Sequence, residues 1–228
     1  MLEIAKANHK SDPQVILNIL ATAEVLATIV NTIAFERRLG VDTTTQNNLR
    51  AAAREELIHY ELLTGIVPGG ARALTRTIHV PNAVFANRTN LLSTLVIGDQ
   101  IFVNAYLIAL TVASNDDDSE RARVFAEFMA VESVHRALAR QSLGLLGNDR
   151  AFAKYSQGES AIGPGKPTPG MDGLPGFRKI ETAVAQLEAA GFGFGKPGNV
   201  AGSPYGFDTT SARTPSAATA GVNTLTPL

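Results

Sequence analysis

The 228-residue chain contains no cysteine, which excludes a disulfide framework, a thiolate zinc or iron-sulfur site and a cysteine nucleophile. It also has no charge of one sign to spare. With 20 Lys and Arg against 21 Asp and Glu, the formal charge is -1, which argues against nucleic acid as the main partner. A phosphate-binding glycine loop, a hydrolase nucleophile elbow and an HExxH zinc helix are all missing. The opening MLEIAKANHKSDPQ lacks the basic region, apolar run and small-residue cleavage site of a signal peptide, so the chain reads as cytoplasmic.

Glycine and proline are sparse until the last third, where 13 of 20 Gly and 8 of 11 Pro fall at or after Gly158. The chain therefore divides into an apolar helical part, residues 1–148, and an appendage. Within the appendage, residues 149–176 read as a Gly/Pro-rich linker, 177–190 as a short docked helix with Ile180, Val184 and Leu187 on one stripe, and 191–228 as a low-charge tail without helical or strand period. Composition alone gives that tail a flexible character.

The first part reads as four helices. Helix A follows Asp12-Pro13, with Ser11 or Asp12 as cap, and ends near Gly40. Helix B follows the run Thr43-Thr44-Thr45 and stops near Gly65. Some two dozen residues without helical period then lead to helix C, about Asn90 to Ala113. The acidic turn SNDDDSE opens helix D, which ends near Gly147. Two short connections and one long one predict an all-α fold, an antiparallel four-helix bundle with a single crossover. Two segments approach membrane-span length, Val15 to Phe35 with Glu24 as its central charge and Leu91 to Ala113 with Asp99 as its own. A carboxylate in mid-membrane is costly, whereas a buried bundle helix is apolar all round, so no membrane span is expected. Something must then satisfy the two buried acids.

Helices B and D supply the answer. EELIHYELL holds Glu56 and His59, and VESVHRALA holds Glu132 and His135. Residues three apart project from one helix face, so each Glu-x-x-His pair presents carboxylate and imidazole together, on the face that also carries Leu49, Ala52, Ala53, Tyr60 and Leu63 or Phe125, Phe128, Ala139 and Leu143. Glu24 precedes Glu56 by 32 residues and Asp99 precedes Glu132 by 33. The same hairpin is thus written twice, and two such hairpins packed by a pseudo-two-fold bring four carboxylates and two imidazoles together, the ligand set of a dimetal site. Oxygen and nitrogen donors without sulfur suit two ions of iron or manganese. Glu56 and Glu132 are expected to bridge, His59 and His135 each to cap one ion, and Glu24 and Asp99 to complete the ends. Tyr60 and Tyr106 on core faces are candidates to hydrogen-bond these carboxylates. Glu55, Glu61 and Glu127 read as solvated, Arg136 and Arg140 as caps or pairs near the end of helix D, and His9 and His79 carry no assignment.

From about Asp12 to Gly147, through ILNILATAEVLATIV, EELIHYELL, NAYLIAL and AVESVHRALAR, the sequence resembles the bacterial ferritin-like domain family that includes desiccation-related proteins. The resemblance places that family's helix A glutamate on Glu24 and its two Glu-x-x-His motifs on Glu56 with His59 and Glu132 with His135. Where the family has a helix C glutamate seven residues before a tyrosine, this chain has Asp99 before Tyr106, one methylene shorter in reach. Two functions follow as expectations: a dimetal protein that handles metal or reacts with dioxygen or peroxide, or a structural protein that assembles into homo-oligomers or docks partners through its tail. A closed storage cage is not expected with so long an appendage.

Overall fold

The computed structural model describes residues 12–66, 69–149 and 179–213. Four long helices form the bundle: α1 Pro13–Glu36, α2 Thr43–Glu61, α3 Arg88–Asn115 and α4 Ser119–Ser142. Each starts on an acidic or amide side chain that accepts from a backbone N–H of the first turn. Asp12 caps α1, Asp42 caps α2, Asn87 caps α3 and Asp118 caps α4. Such a cap stabilises a helix by about 1 kcal/mol. The sequence reading placed the start of α2 after the threonine run. Asp42 instead takes the cap, through Thr45 N–H at 2.8 Å, and the threonines become the first turn.

Helix α1 is buried around nearly its whole circumference, including Glu24, Thr28 and Asn31. It packs mainly on α2, and α3 packs mainly on α4, so the two hairpins read from the sequence are the two halves of the bundle. Both α1 and α3 are long and apolar enough to cross a membrane, but 89% of the apolar window of α1 is buried inside the bundle. A π-helical turn, Leu62–Ile66, continues α2.

The appendage departs from its expected character. The crossover contains a strand, β1 Thr77–Pro81, followed by a 3-10 turn, Asn82–Phe85. After α5, Ile180–Ala189, come β2 Gly193–Phe194 and β3 Gly202–Gly206, then a last turn α6, Thr210–Arg213. The strands form an antiparallel sheet in the order β2-β1-β3, with Ile78 opposite both Phe194 and Tyr205. Ile78 and Val80 point into the core, and Arg37 at the end of α1 donates to the Tyr205 hydroxyl at 2.9 Å. The segment 191–213 is therefore packed on its own bundle. Its glycines serve tight turning rather than freedom: Gly191 ends α5 at φ 99°, and a Cβ at Gly198 would overlap the Gly191 carbonyl.

Helix α5 buries Ile180, Ala183 and Leu187, with Val184 packed beside them. The proposed linker, 149–176, and the tail beyond Arg213 lie outside the described residues, except for Asp149.

Candidate metal centre

Each bundle helix sends an acid into the centre. Glu24 of α1, Glu56 of α2 and Glu132 of α4 are wholly buried, and Asp99 of α3 is nearly so. Donor atoms of Glu24, Glu56, His59 and Glu132 all lie within 4.8 Å of one another. His59 Nδ1 stands 3.5 Å from Glu24, 3.5 Å from Glu56 and 3.3 Å from Glu132. On the other side, His135 Nδ1 stands 3.1 Å from Glu56 and 3.7 Å from Glu132. Glu56 and Glu132 thus lie between the two imidazoles. This placement follows from the helical repeat: the three-residue spacing puts each histidine one turn beyond its glutamate on the same face.

Two of the six residues singled out from the sequence, His135 and Asp99, stand outside the tight group of four. His135 Nδ1 still reaches Glu56 and Glu132, whereas Asp99 is buried beside Glu132, His135, Glu56 and Arg136. An aspartate is one methylene shorter than a glutamate, so α3 would have to approach the cluster more closely for Asp99 to reach as far.

The surroundings fix the orientation of these groups. The Tyr106 hydroxyl donates to Glu24 Oε1. Phe128 stacks on His59 with ring centroids 4.1 Å apart and Tyr106 meets the same imidazole edge-on. Tyr60, the other tyrosine considered, packs its ring against Phe207 at 4.7 Å instead. Glu55 departs from the sequence reading: its side chain is half-buried, and its Oε2 lies 2.6 Å from His135 Nε2. A carboxylate on Nε2 places the ring proton there and leaves Nδ1 facing Glu56 and Glu132. Arg140 pairs with Asp149 at 3.1 Å, as expected near the end of α4, whereas Arg136 is buried beside Asp99. Glu127 is exposed.

The electrostatics are those of acids crowded out of water. Burial pushes the Glu24 carboxyl up to about 7, with His59 opposing the rise and Glu56 adding to it. Burial and the Glu132 charge hold Asp99 well above the usual carboxylate range, against the pull of His135. Burial alone would draw both imidazoles down, but Glu24, Glu132 and Glu56 hold His59 well above its ordinary value. Glu56, Glu132 and Glu55 do the same for His135. Burial and Glu24 keep Tyr106 protonated.

Both carboxylate oxygens of Glu56 and of Glu132, Glu24 Oε2 and the Nδ1 atoms of His59 and His135 are buried and make no hydrogen bond. Buried polar atoms are normally paired, so three wholly buried carboxylates and two imidazoles gathered without hydrogen bonds among these atoms call for a further partner. The donor set, carboxylate oxygen and imidazole nitrogen without sulfur, is one that a divalent cation satisfies.

No curated protein and no solved structure matches the chain. The ferritin-like domain family matches residues 13–145, the same stretch that holds all four helices and every residue of the centre. On that match, which spans more than half of the sequence and agrees with the bundle and its single crossover, the chain belongs to the ferritin-like domain family.

Proposed function

We propose that the protein is a dimetal carboxylate protein holding two ions of iron or manganese. The supporting observation is the convergence of unpaired, buried donor atoms from Glu24, Glu56, His59, Glu132 and His135. In this reading Glu56 and Glu132, which lie between the imidazoles, would be shared by the ions, His59 and His135 would each hold one, and Glu24 and Asp99 would complete the ligand set. Bound iron or manganese would supply the redox capacity for reaction with dioxygen or peroxide. The chain's own groups do the rest. Tyr106 holds Glu24 by a hydrogen bond, Glu55 sets the His135 tautomer, and the Phe128 ring covers His59.

The resemblance to the desiccation-related branch of the family adds a role in stress protection to this proposal. A scaffold that joins neighbours through its tail has less support, because residues 193–206 pair with β1 and Ala212 packs on Ala53 and Leu57 of α2.

Elemental analysis of protein from metal-replete cells, before and after reconstitution, tests the main reading. We expect more than one equivalent of iron or manganese per chain. Less than about a tenth of an equivalent, unchanged on reconstitution, removes it.

A further inference from the structure

Helix α3 carries a glycine, Gly98, in mid-helix, where glycine costs about 1 kcal/mol relative to alanine. A Cβ there would meet nothing within 4 Å, so no close packing requires it. What lies beside Gly98 is a cavity of about 230 Å³ between α1, α3 and α5. Its walls are apolar: Leu26 and Val30 from α1, Ile101 and Phe102 from α3, Leu187 and Phe192 from the appendage. The segment after the bundle thus forms one wall through Leu187 and Phe192, and the exposed Ile97 with the half-buried Gly98 stands at a mouth open to solvent.

The inner end is polar. Asn31 and Asp99, both buried, line this cavity and also a smaller one of about 30 Å³ that continues to His135, with Leu95 shared between them. The third polar residue, Thr94, spends its hydroxyl on the Asn90 carbonyl, and the Asn31 amide group donates to Ala27. The Asn31 carbonyl oxygen is the acceptor that the inner end offers a guest, whereas Asp99 faces Glu132, His135 and Arg136.

We propose that this cavity binds a small apolar molecule, aromatic or short alkyl, whose single hydrogen-bond donor meets the Asn31 carbonyl oxygen. A dry cavity of about 150 Å³ lined by Leu, Ile and Phe accepts benzene. The larger volume here suits about ten non-hydrogen atoms. Because the inner end leads to His135, the guest is a substrate of the centre; that last clause rests on the metal reading, whereas the binding site does not.

The test uses the full chain and 4-propylphenol as probe, titrated by ligand-observed NMR against metal-free and manganese-loaded protein. Gly98→Leu places a side chain beside the cavity from a Cβ that meets nothing within 4 Å and improves helix propensity, and unchanged helical circular dichroism checks that it folds. Thr111→Leu, on the exposed face of the same helix, is the control. We expect the probe to bind wild type and Thr111→Leu alike, and Gly98→Leu at least tenfold more weakly. Butylbenzene, equal in size but without a donor, should bind several-fold more weakly than the phenol. In manganese-loaded wild type the probe resonances should broaden, and Gly98→Leu should abolish the effect. No binding to wild type, or equal binding to Gly98→Leu, overturns the cavity assignment. Equal binding of butylbenzene overturns the donor-recognising inner end, and binding without broadening in a loaded protein overturns the link to the centre. If manganese fails to bind at all, the metal-free titration still decides the cavity, and the metal reading alone falls.

Discussion

His135 Nε2 lies 2.6 Å from Glu55 Oε2, so the second imidazole of the centre is held from outside the ligand set by a residue adjacent to Glu56. The contact ties α4 to α2 across the bundle and aims Nδ1 inward. Outer carboxylates of this kind tune metal affinity by about 10–100-fold. Glu55→Ala is therefore expected to weaken the tighter-held stoichiometry to about one ion per chain, with affinity for the second reduced by that factor. Chelator competition measures it, with Glu127→Ala, an exposed glutamate on α4, as the control.

Metal uptake should strengthen with pH. The Glu24 carboxyl stands near 7 in the metal-free protein, and a cation must displace its proton. Below that value each pH unit should gain up to about tenfold in apparent affinity for that one proton. Isothermal titration with Mn²⁺ at pH 6, 7 and 8 checks the trend; affinity flat across this range contradicts it.

The stability of the metal-free protein should run the other way. Glu24, Asp99, His59 and His135 all bind protons more tightly folded than unfolded. The folded state then carries more protons, and ΔG of unfolding falls as pH rises. For Glu24 the loss spans the range from its ordinary 4.5 to about 7, and for the imidazoles it begins near 6.5 and continues upward. Calorimetry of chelator-treated protein should show a lower Tm at pH 8 than at pH 5.5, and metal loading should erase the difference.

Much of this centre was legible before any coordinates, because the helical period converts a three-residue spacing into a shared face. Glu56 with His59 and Glu132 with His135 needed only that rule, and the repeated hairpin added Glu24 and Asp99. Glu55 was not legible. It sits about 100° around α2 from Glu56, and which direction faces α4 depends on how the hairpins cross. The sheet was hidden for a different reason: β1 finds its partners more than 110 residues later, in strands too short to show alternation. Gly191 and Gly198 looked like low complexity because tight-turn chemistry and flexibility share a composition.

Val41, between α1 and α2, holds φ at 68° while its side chain is 78% exposed. A β-branched residue in the left-handed region is strained by about 1–3 kcal/mol, and here no packing offsets it. Val41→Asn, which tolerates that conformation, is expected to add about 1 kcal/mol and to raise Tm by about 2–4 °C in a chain of this size. Thermal unfolding of the metal-free protein measures it, and an unchanged or lower Tm would show that the loop relaxes without strain.

The appendage supplies the last test. A side chain at Gly198 meets the backbone of Gly191 and Phe192, neither of which can yield as a flexible side chain would. Gly198→Ala should therefore detach β2 and the return to β3, while α1 to α4, whose mutual contacts do not involve this turn, stay assembled. Limited proteolysis should cut the variant between α5 and β3 under conditions that leave wild type intact, and amide exchange should rise at Ile78 and Val80 of β1, whose strand would lose its partners. Helical circular dichroism and the stoichiometry of bound metal should be unchanged. If the bundle melts together with the tail, the appendage is an integral part of the cooperative core; if protection at β1 is unaffected, the glycine is not required by the close approach that the geometry shows.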